Sequence, residues 1–188
     1  MFKQKIILAS QSPRRRQLLE WAEIACDIIV SDTDESFPPG LSFEDAAVYI
    51  ARNKALTVIA KNNFSIPVLA ADTIVVCDDE IIGKPTGRED AIHILEKLSG
   101  KQHKVITGVV ICSGKKEIAF ADTTHVTFHP LTKEQIIFYV DNYKPYDKAG
   151  AYAIQEWIGV TGIKSINGDF FNVMGLPVSR VIQQLSLL

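Results

Sequence analysis

KIILASQSPRRRQLLE, Lys5 to Glu20, decides the class of fold. Ile6-Ile7-Leu8-Ala9 is a short apolar run of strand length. After it Leu18, Leu19 and Ala22 recur at helical spacing. Between them Ser12 is a good N-cap and Pro13 suits the first helical position. A strand therefore hands over directly to a helix. Arg14, Arg15 and Arg16 fall in the first helical turn, where the helix dipole is already positive. Cations there need either water or an anion to hold. Strand-to-helix junctions also present backbone N–H groups and hydroxyls, here of Ser10 and Ser12, that can bind phosphate. The stretch lacks GxxxxGK[ST] and is no P-loop.

Outward from this junction, strands and helices keep alternating. A strand is expected near residues 27–30, followed by the acidic loop Ser31-Asp32-Thr33-Asp34-Glu35. Ser42 starts a helix with Asp45 three residues on, and Ala46, Ala47, Ile50, Ala51 and Ala55 mark its apolar side. Residues 67–77 form a long apolar run, and Asp78-Asp79 turn it into Glu80-Ile81-Ile82. Residues 88–98 read as a helix stopped by Ser99-Gly100. Strands over 104–112 and 117–128 flank a Ser113-Gly114 turn. Thr132 caps a helix to Tyr143, short strands are expected at 152–154, 163–166 and 170–173, and Gly175-Leu176-Pro177 opens a last helix. Alternation combined with tight hairpins predicts an α/β fold with a mixed, twisted sheet flanked by helices.

Composition narrows the function classes. The chain has 188 residues, no repeat and no linker, which fits a single domain over 1–188. A formal net charge of −2 leaves no electrostatic footprint for nucleic acid, so any anion site must be local. No apolar run reaches the ~20 residues that span a bilayer. Cys26, Cys77 and Cys112 are widely spaced and odd in number, which predicts three buried, reduced thiols and a cytoplasmic protein. His93, His103, His125 and His129 show no metal-ligand spacing.

Four stretches carry candidate chemistry besides the arginines. In AADTIVV, Asp72 interrupts a run otherwise buried on both faces, with Thr73 beside it. A carboxylate there is costly unless it is paired, binds a metal or is held by backbone N–H groups. It could hold Mg²⁺ or take a proton from water. In IIGKP, Gly83 and Pro85 define the point from which Lys84 emerges, a point charge suited to phosphate. Lys54, in ARNKAL, is a helical lysine of the kind usually exposed. In DKAGAYAIQ, Ala149 and Gly150 permit close backbone approach, and Gln155 offers the donor and acceptor that reading a base edge requires. INGDFFNVMGLP combines a turn with a helix entry and reads as structural.

In order along the chain, LASQSPRR, Asp34-Glu35, ARNKA, AADTIVV, GKP, LSG, DKAGAYAIQ and INGDFFNVMGLP resemble the Maf family. These are nucleoside triphosphate pyrophosphatases once called septum formation inhibitors. The likeness extends from Leu8 to Pro177. It implies an elongated two-lobed α/β domain with a central cleft, related to the ITPase-like folds. It also implies Mg²⁺- or Mn²⁺-dependent cleavage of a nucleoside triphosphate to monophosphate and pyrophosphate, in a protein that is often a homodimer. It places the proton acceptor on Asp72, a second acidic residue on Glu35, and metal binding on this pair. Specificity positions fall on Arg14, Thr73 and Gln155, and phosphate contacts on Arg15, Lys54 and Lys84. AYAIQ is similar to the branch that hydrolyses dTTP and UTP, which implies nucleotide-pool house-cleaning. That branch usually has Gly after the Gln. This chain has Glu156, then Trp157, so a carboxylate adjoins the expected base reader, where it could accept from an amino group of cytosine or guanine. Two alternatives follow: a 7-methyl-GTP or broad nucleotide pyrophosphatase, and a nucleotide-binding regulator of cell division that needs no turnover.

Overall fold

β1 (Ile6–Ala9) runs into α1 (Pro13–Trp21) as the opening stretch predicts. Ser12 is the N-cap, its hydroxyl accepting from the Arg15 N–H at 3.4 Å, and Pro13 sits at the first helical position. The computed structural model describes residues 4–30, 33–61 and 65–188, so Ser31 and Asp32 of the acidic loop lie outside the described residues. Then come β2 (Cys26–Ile28), α2 (Phe43–Lys61), β3 (Val68–Cys77), β4 (Glu80–Ile82) and α3 (Arg88–Leu98). β5 (Gln102–Ser113) and β6 (Lys116–Phe128) flank the Gly114 turn. The chain ends with α4 (Lys133–Tyr143), a 3-10 turn at Ala149–Ala151, α5 (Trp157–Gly162), β7 (Ile163–Asn167), α6 (Phe170–Met174) and α7 (Val178–Leu185).

Two compact units emerge. Unit 1 holds Met1–Thr73, Thr107–Asp122 and Gly175–Leu188; unit 2 holds Ile74–Ile106 and Thr123–Met174. The chain passes from one to the other inside β3, β5 and β6, and again between Met174 and Gly175. In unit 1 the strand order is β2-β1-β3-β5-β6, and β1 pairs parallel with both β2 and β3. In unit 2 β4 pairs antiparallel with β3, and β7 pairs antiparallel with β6. The sheet is therefore mixed and flanked by helices, as the pattern predicts.

In unit 1 alternate strand residues face α2. Ile7 and Ala9, Val68 and Ala70, and Val110 and Cys112 pack against Ala51, Ala55 and Val58. Small residues on the helix let it lie close to the strands. In unit 2 the buried ring system is His103, Phe128 and Tyr152, with centroids 5.1–5.4 Å apart. His103 Nε2 lies 2.8 Å from the Tyr152 hydroxyl. Its Nδ1 is buried without a hydrogen-bond partner among the described residues. Burial pushes the imidazole down to about 4, because a charged ring would sit without solvent or counter-ion.

That burial has a sign in stability. Below pH 6.5 the unfolded chain takes up a proton that folded His103 refuses until about pH 4. Stability is therefore lost as pH falls through this window, by on the order of 3 kcal/mol from this residue. In His103→Gln, the urea midpoint between pH 7 and 4 should decline less steeply than in the natural protein. Equal slopes would show that His103 does not contribute.

Three sequence expectations are corrected. Residues 152–154 are not a strand: they are buried consecutively, and the Ala153 N–H donates to the Tyr139 hydroxyl at 3.1 Å. Residues 170–173 belong to a helix, α6, started by Asp169, whose carboxylate accepts from the Phe171 N–H at 2.7 Å. Short apolar runs carry too little periodicity to separate the two states. α5 has no counterpart in the sequence pattern, since Trp157–Gly162 is too short for a repeat. Of the three thiols, Cys77 and Cys112 are buried, whereas Cys26 is half-buried because it opens the edge strand β2; all three are free.

Candidate active site

Asp72 lies on β3 in the α2-facing register of Val68 and Ala70. It is 8% exposed. The group that meets it is Lys54, whose ammonium lies 2.5 Å from Asp72 Oδ1 and 2.8 Å from Glu35 Oε1. Lys54 is not an exposed helical lysine: only 12% of its side chain is accessible. Its place in the sequence contains the signal. It falls three residues after Ala51 and four before Val58, on the buried side of α2. The pairing compensates a carboxylate that burial alone would disfavour.

Thr73, the next residue, points to the opposite face of the strand, as β-geometry requires. Its hydroxyl is 3.0 Å from Thr107 Oγ1 and accepts from Arg15 Nη2 at 2.9 Å. Arg15 also donates from Nη1 to Ser10 Oγ at 3.0 Å and from Nε to the Gly175 carbonyl at 2.8 Å. Ser10 Oγ further accepts from the Ser12 N–H at 3.2 Å. Burial pulls the Arg15 guanidinium below its ordinary value, and the charge of Asp72 opposes that shift. Three of its five N–H donors thus hold the chain's own groups.

The three consecutive arginines therefore separate. Arg15 is buried, Arg14 is half-buried, and Arg16 turns outward to Glu20 Oε1 at 2.7 Å. Arg16 is a surface residue. Thr107 and the Gly175 carbonyl complete this cluster, and neither is legible as a site residue. Thr107 reads as an ordinary threonine of a strand that also holds Gln102, His103 and Lys104, and a carbonyl has no sequence signature.

Lys84 and Gln155 belong to unit 2, and both are exposed. The Gly83 carbonyl accepts from the Gly150 N–H at 3.1 Å, so GKP and DKAGAYAIQ are held to one another. Gly150 adopts φ +73°, and a Cβ there would meet the Val75 methyls at 3.2 Å. Glu156 stands at the N-cap of α5, but its side chain makes no capping bond. Its carboxylate accepts from the Tyr139 hydroxyl and lies 3.6 Å from Lys148 Nζ.

No group of three or more His, Cys, Asp or Glu suited to a metal occurs among the described residues. Asp72 and Glu35, brought together by one ammonium, are both hard oxygen donors. Two carboxylates suit a Mg²⁺-like cation that takes its remaining ligands from water and phosphate. No helix among the described residues is long and apolar enough to cross a membrane.

A family model described as Maf-like protein matches residues 5–188. The chain belongs to the Maf-like family. The protein named dTTP/UTP pyrophosphatase in Cytophaga hutchinsonii is 51% identical over 96% of this Maf-like chain and 82% of its own length. The one of that name in Parabacteroides distasonis is 47% identical over 97% of this chain and 95% of its own. Among solved structures, the Staphylococcus aureus Ham1 protein aligns over 66% of this chain and 72% of its own, with a TM-score of 0.43 and 14% identity.

Proposed function

We propose that this Maf-like protein hydrolyses dTTP and UTP to the monophosphate and pyrophosphate, as a cytoplasmic house-cleaning enzyme. The observation that carries the reading is the ion-paired cluster of Asp72, Lys54 and Glu35, in a chain 51% identical to a protein named dTTP/UTP pyrophosphatase. Two carboxylates and an ammonium meet at one strand position, and Arg15 is held on the other face of that strand by Ser10, Thr73 and Gly175. Such a set handles a charged phosphoanhydride.

In this reading water attacks the α-phosphorus, the bond to the bridging oxygen breaks, and pyrophosphate leaves with that oxygen. Asp72 orients the attacking water and receives its proton. Lys54 and Arg15 stabilise the charge that grows on the phosphates, and Lys84 adds a further phosphate contact. Glu35 and Asp72 are the residues that would hold Mg²⁺ or Mn²⁺. The cation, when bound, neutralises phosphate charge and polarises the reacting groups. Ser10 and Ser12 supply hydroxyls at the helix entry, and Arg14, Thr73 and Gln155 select the nucleotide. The functional protein is a homodimer.

Gln155 offers N–H and C=O together, which matches the O4 and N3–H edge of thymine or uracil. A site that hydrogen-bonds its ligand leaves polar groups unpaired when the wrong base enters. Purified protein with Mg²⁺ should release pyrophosphate from dTTP and UTP at higher kcat/KM than from CTP, GTP, ATP or 7-methyl-GTP. Gln155→Ala should narrow the gap, mainly by hurting dTTP and UTP. Preference for 7-methyl-GTP would replace the pyrimidine assignment. No pyrophosphate from any nucleotide, with Mg²⁺ or Mn²⁺, would favour the non-catalytic regulator.

A further inference from the structure

Gln155 is an exposed residue between two anchored neighbours. On one side Ile154 is buried, and the Ala153 N–H donates to the Tyr139 hydroxyl at 3.1 Å. On the other, the Glu156 N–H donates to the Ala153 carbonyl at 3.1 Å, closing a tight turn around Ile154 and Gln155. The same Tyr139 hydroxyl donates to the Glu156 carboxylate. One phenol oxygen, on a fully buried ring of α4, therefore holds the chain both before and after Gln155.

The second carboxylate oxygen of Glu156 faces the Lys148 ammonium at 3.6 Å, and that ammonium also pairs with Asp147 at 2.7 Å. Lys148 is itself buried, so its charge needs the acidic partners it has. Gly159 tightens the arrangement further. A Cβ there would fall 1.7 Å from the Ile154 carbonyl oxygen, so α5 can start directly beside the turn only because residue 159 has no side chain.

Both oxygens of Glu156 thus meet groups of the protein itself. We infer that Glu156 is a positioning residue for base selection: through Tyr139 and Lys148 it fixes the backbone that presents Gln155, and its carboxylate does not read the base. The inference rests on the proposal that Gln155 is the base reader. It removes the expectation that an acid beside Gln155 redirects preference to cytosine or guanine. One carboxylate oxygen accepts from a phenol and the other faces an ammonium, whereas the amide next to it is exposed.

The test is steady-state kinetics on dTTP, UTP, CTP and GTP for the natural protein and for Glu156→Ala, Glu156→Gln, Tyr139→Phe and Gln155→Ala. Glu156→Ala should raise KM for dTTP and UTP about tenfold with kcat changed far less, because a loosened turn loses orientation and not chemistry. Glu156→Gln should recover most of the loss, since its amide oxygen still accepts from Tyr139. Tyr139→Phe should behave like Glu156→Ala, and the double variant should be no worse than either single one. If Tyr139→Phe does not fold, the two Glu156 variants decide the matter alone, because that side chain is partly exposed. Unchanged KM in Glu156→Ala, with raised KM in Gln155→Ala, would overturn the positioning role and leave the base reader standing. Unchanged KM in both would remove the base reader, and the inference with it. Selective loss of CTP or GTP turnover in Glu156→Ala would show that the carboxylate contacts the base, against the inference.

Discussion

Asp72→Asn should lower pyrophosphate release from dTTP by at least ~100-fold, the lower range for a lost acid–base or electrostatic contribution. The substitution keeps size and shape and removes one charge. Its amide oxygen can still accept from Lys54, and Glu35 remains as that ammonium's counter-ion at 2.8 Å. The buried lysine is therefore not left uncompensated, which is what usually makes breaking such a pair costly. Urea unfolding should accordingly show a midpoint close to that of the natural protein. A large rate loss with intact folding places the chemistry on the carboxylate. Turnover within a few-fold of the natural protein would take Asp72 out of the reaction, and loss of folding would make its role the pairing of Lys54.

Gly108→Ala should destabilise the protein by about 3 kcal/mol or more, at the upper end of what one added methyl does in a packed interior. Gly108 lies in β5 where α2 crosses it. A Cβ at this position would fall 2.2 Å from the Ala47 carbonyl carbon, 2.3 Å from the Val48 nitrogen and 2.4 Å from the Ala47 oxygen. All three are backbone atoms of a helix, so no side chain can rotate to make room. The helix would have to move off the strands, and Ala51, Ala55 and Val58 would lose their packing on Ile7, Val68, Ala70 and Val110. Lys54 would move with α2, so residual activity should fall along with stability. Gly83→Ala is the control, because nothing lies within 4 Å of its Cβ position and it caps no helix. Its urea midpoint should stay near that of the natural protein. Equal midpoints for the two variants would show that α2 can adjust.

What the sequence determined by itself is the local order of the chain. Ser12 and Pro13 start α1 because one hydroxyl and one fixed dihedral suffice. Thr132 with Gln135 makes the capping box of α4 through bonds three residues apart. The limits of α3 follow from its own periodicity and from the Ser99-Gly100 stop, where Gly100 takes φ +70°. Asp72 was legible because a charge inside an apolar strand must be compensated, whatever the compensation turns out to be. Tertiary structure alone decided what each charge meets. Lys54 pairs with Asp72 and Glu35, 18 and 19 positions away in the chain, and Arg15 reaches Gly175 across 160 positions. No local pattern records such partners. It also decided that Arg15 turns inward while Arg16, one residue on, turns to Glu20, because successive helical positions face different surroundings. Gly108 and Glu156 make the same point. One was a glycine in a strand and the other an acid beside Gln155. Each acquires its meaning from a helix distant in the chain, α2 for the first and α4 for the second, because close packing is a property of surfaces that meet only after folding.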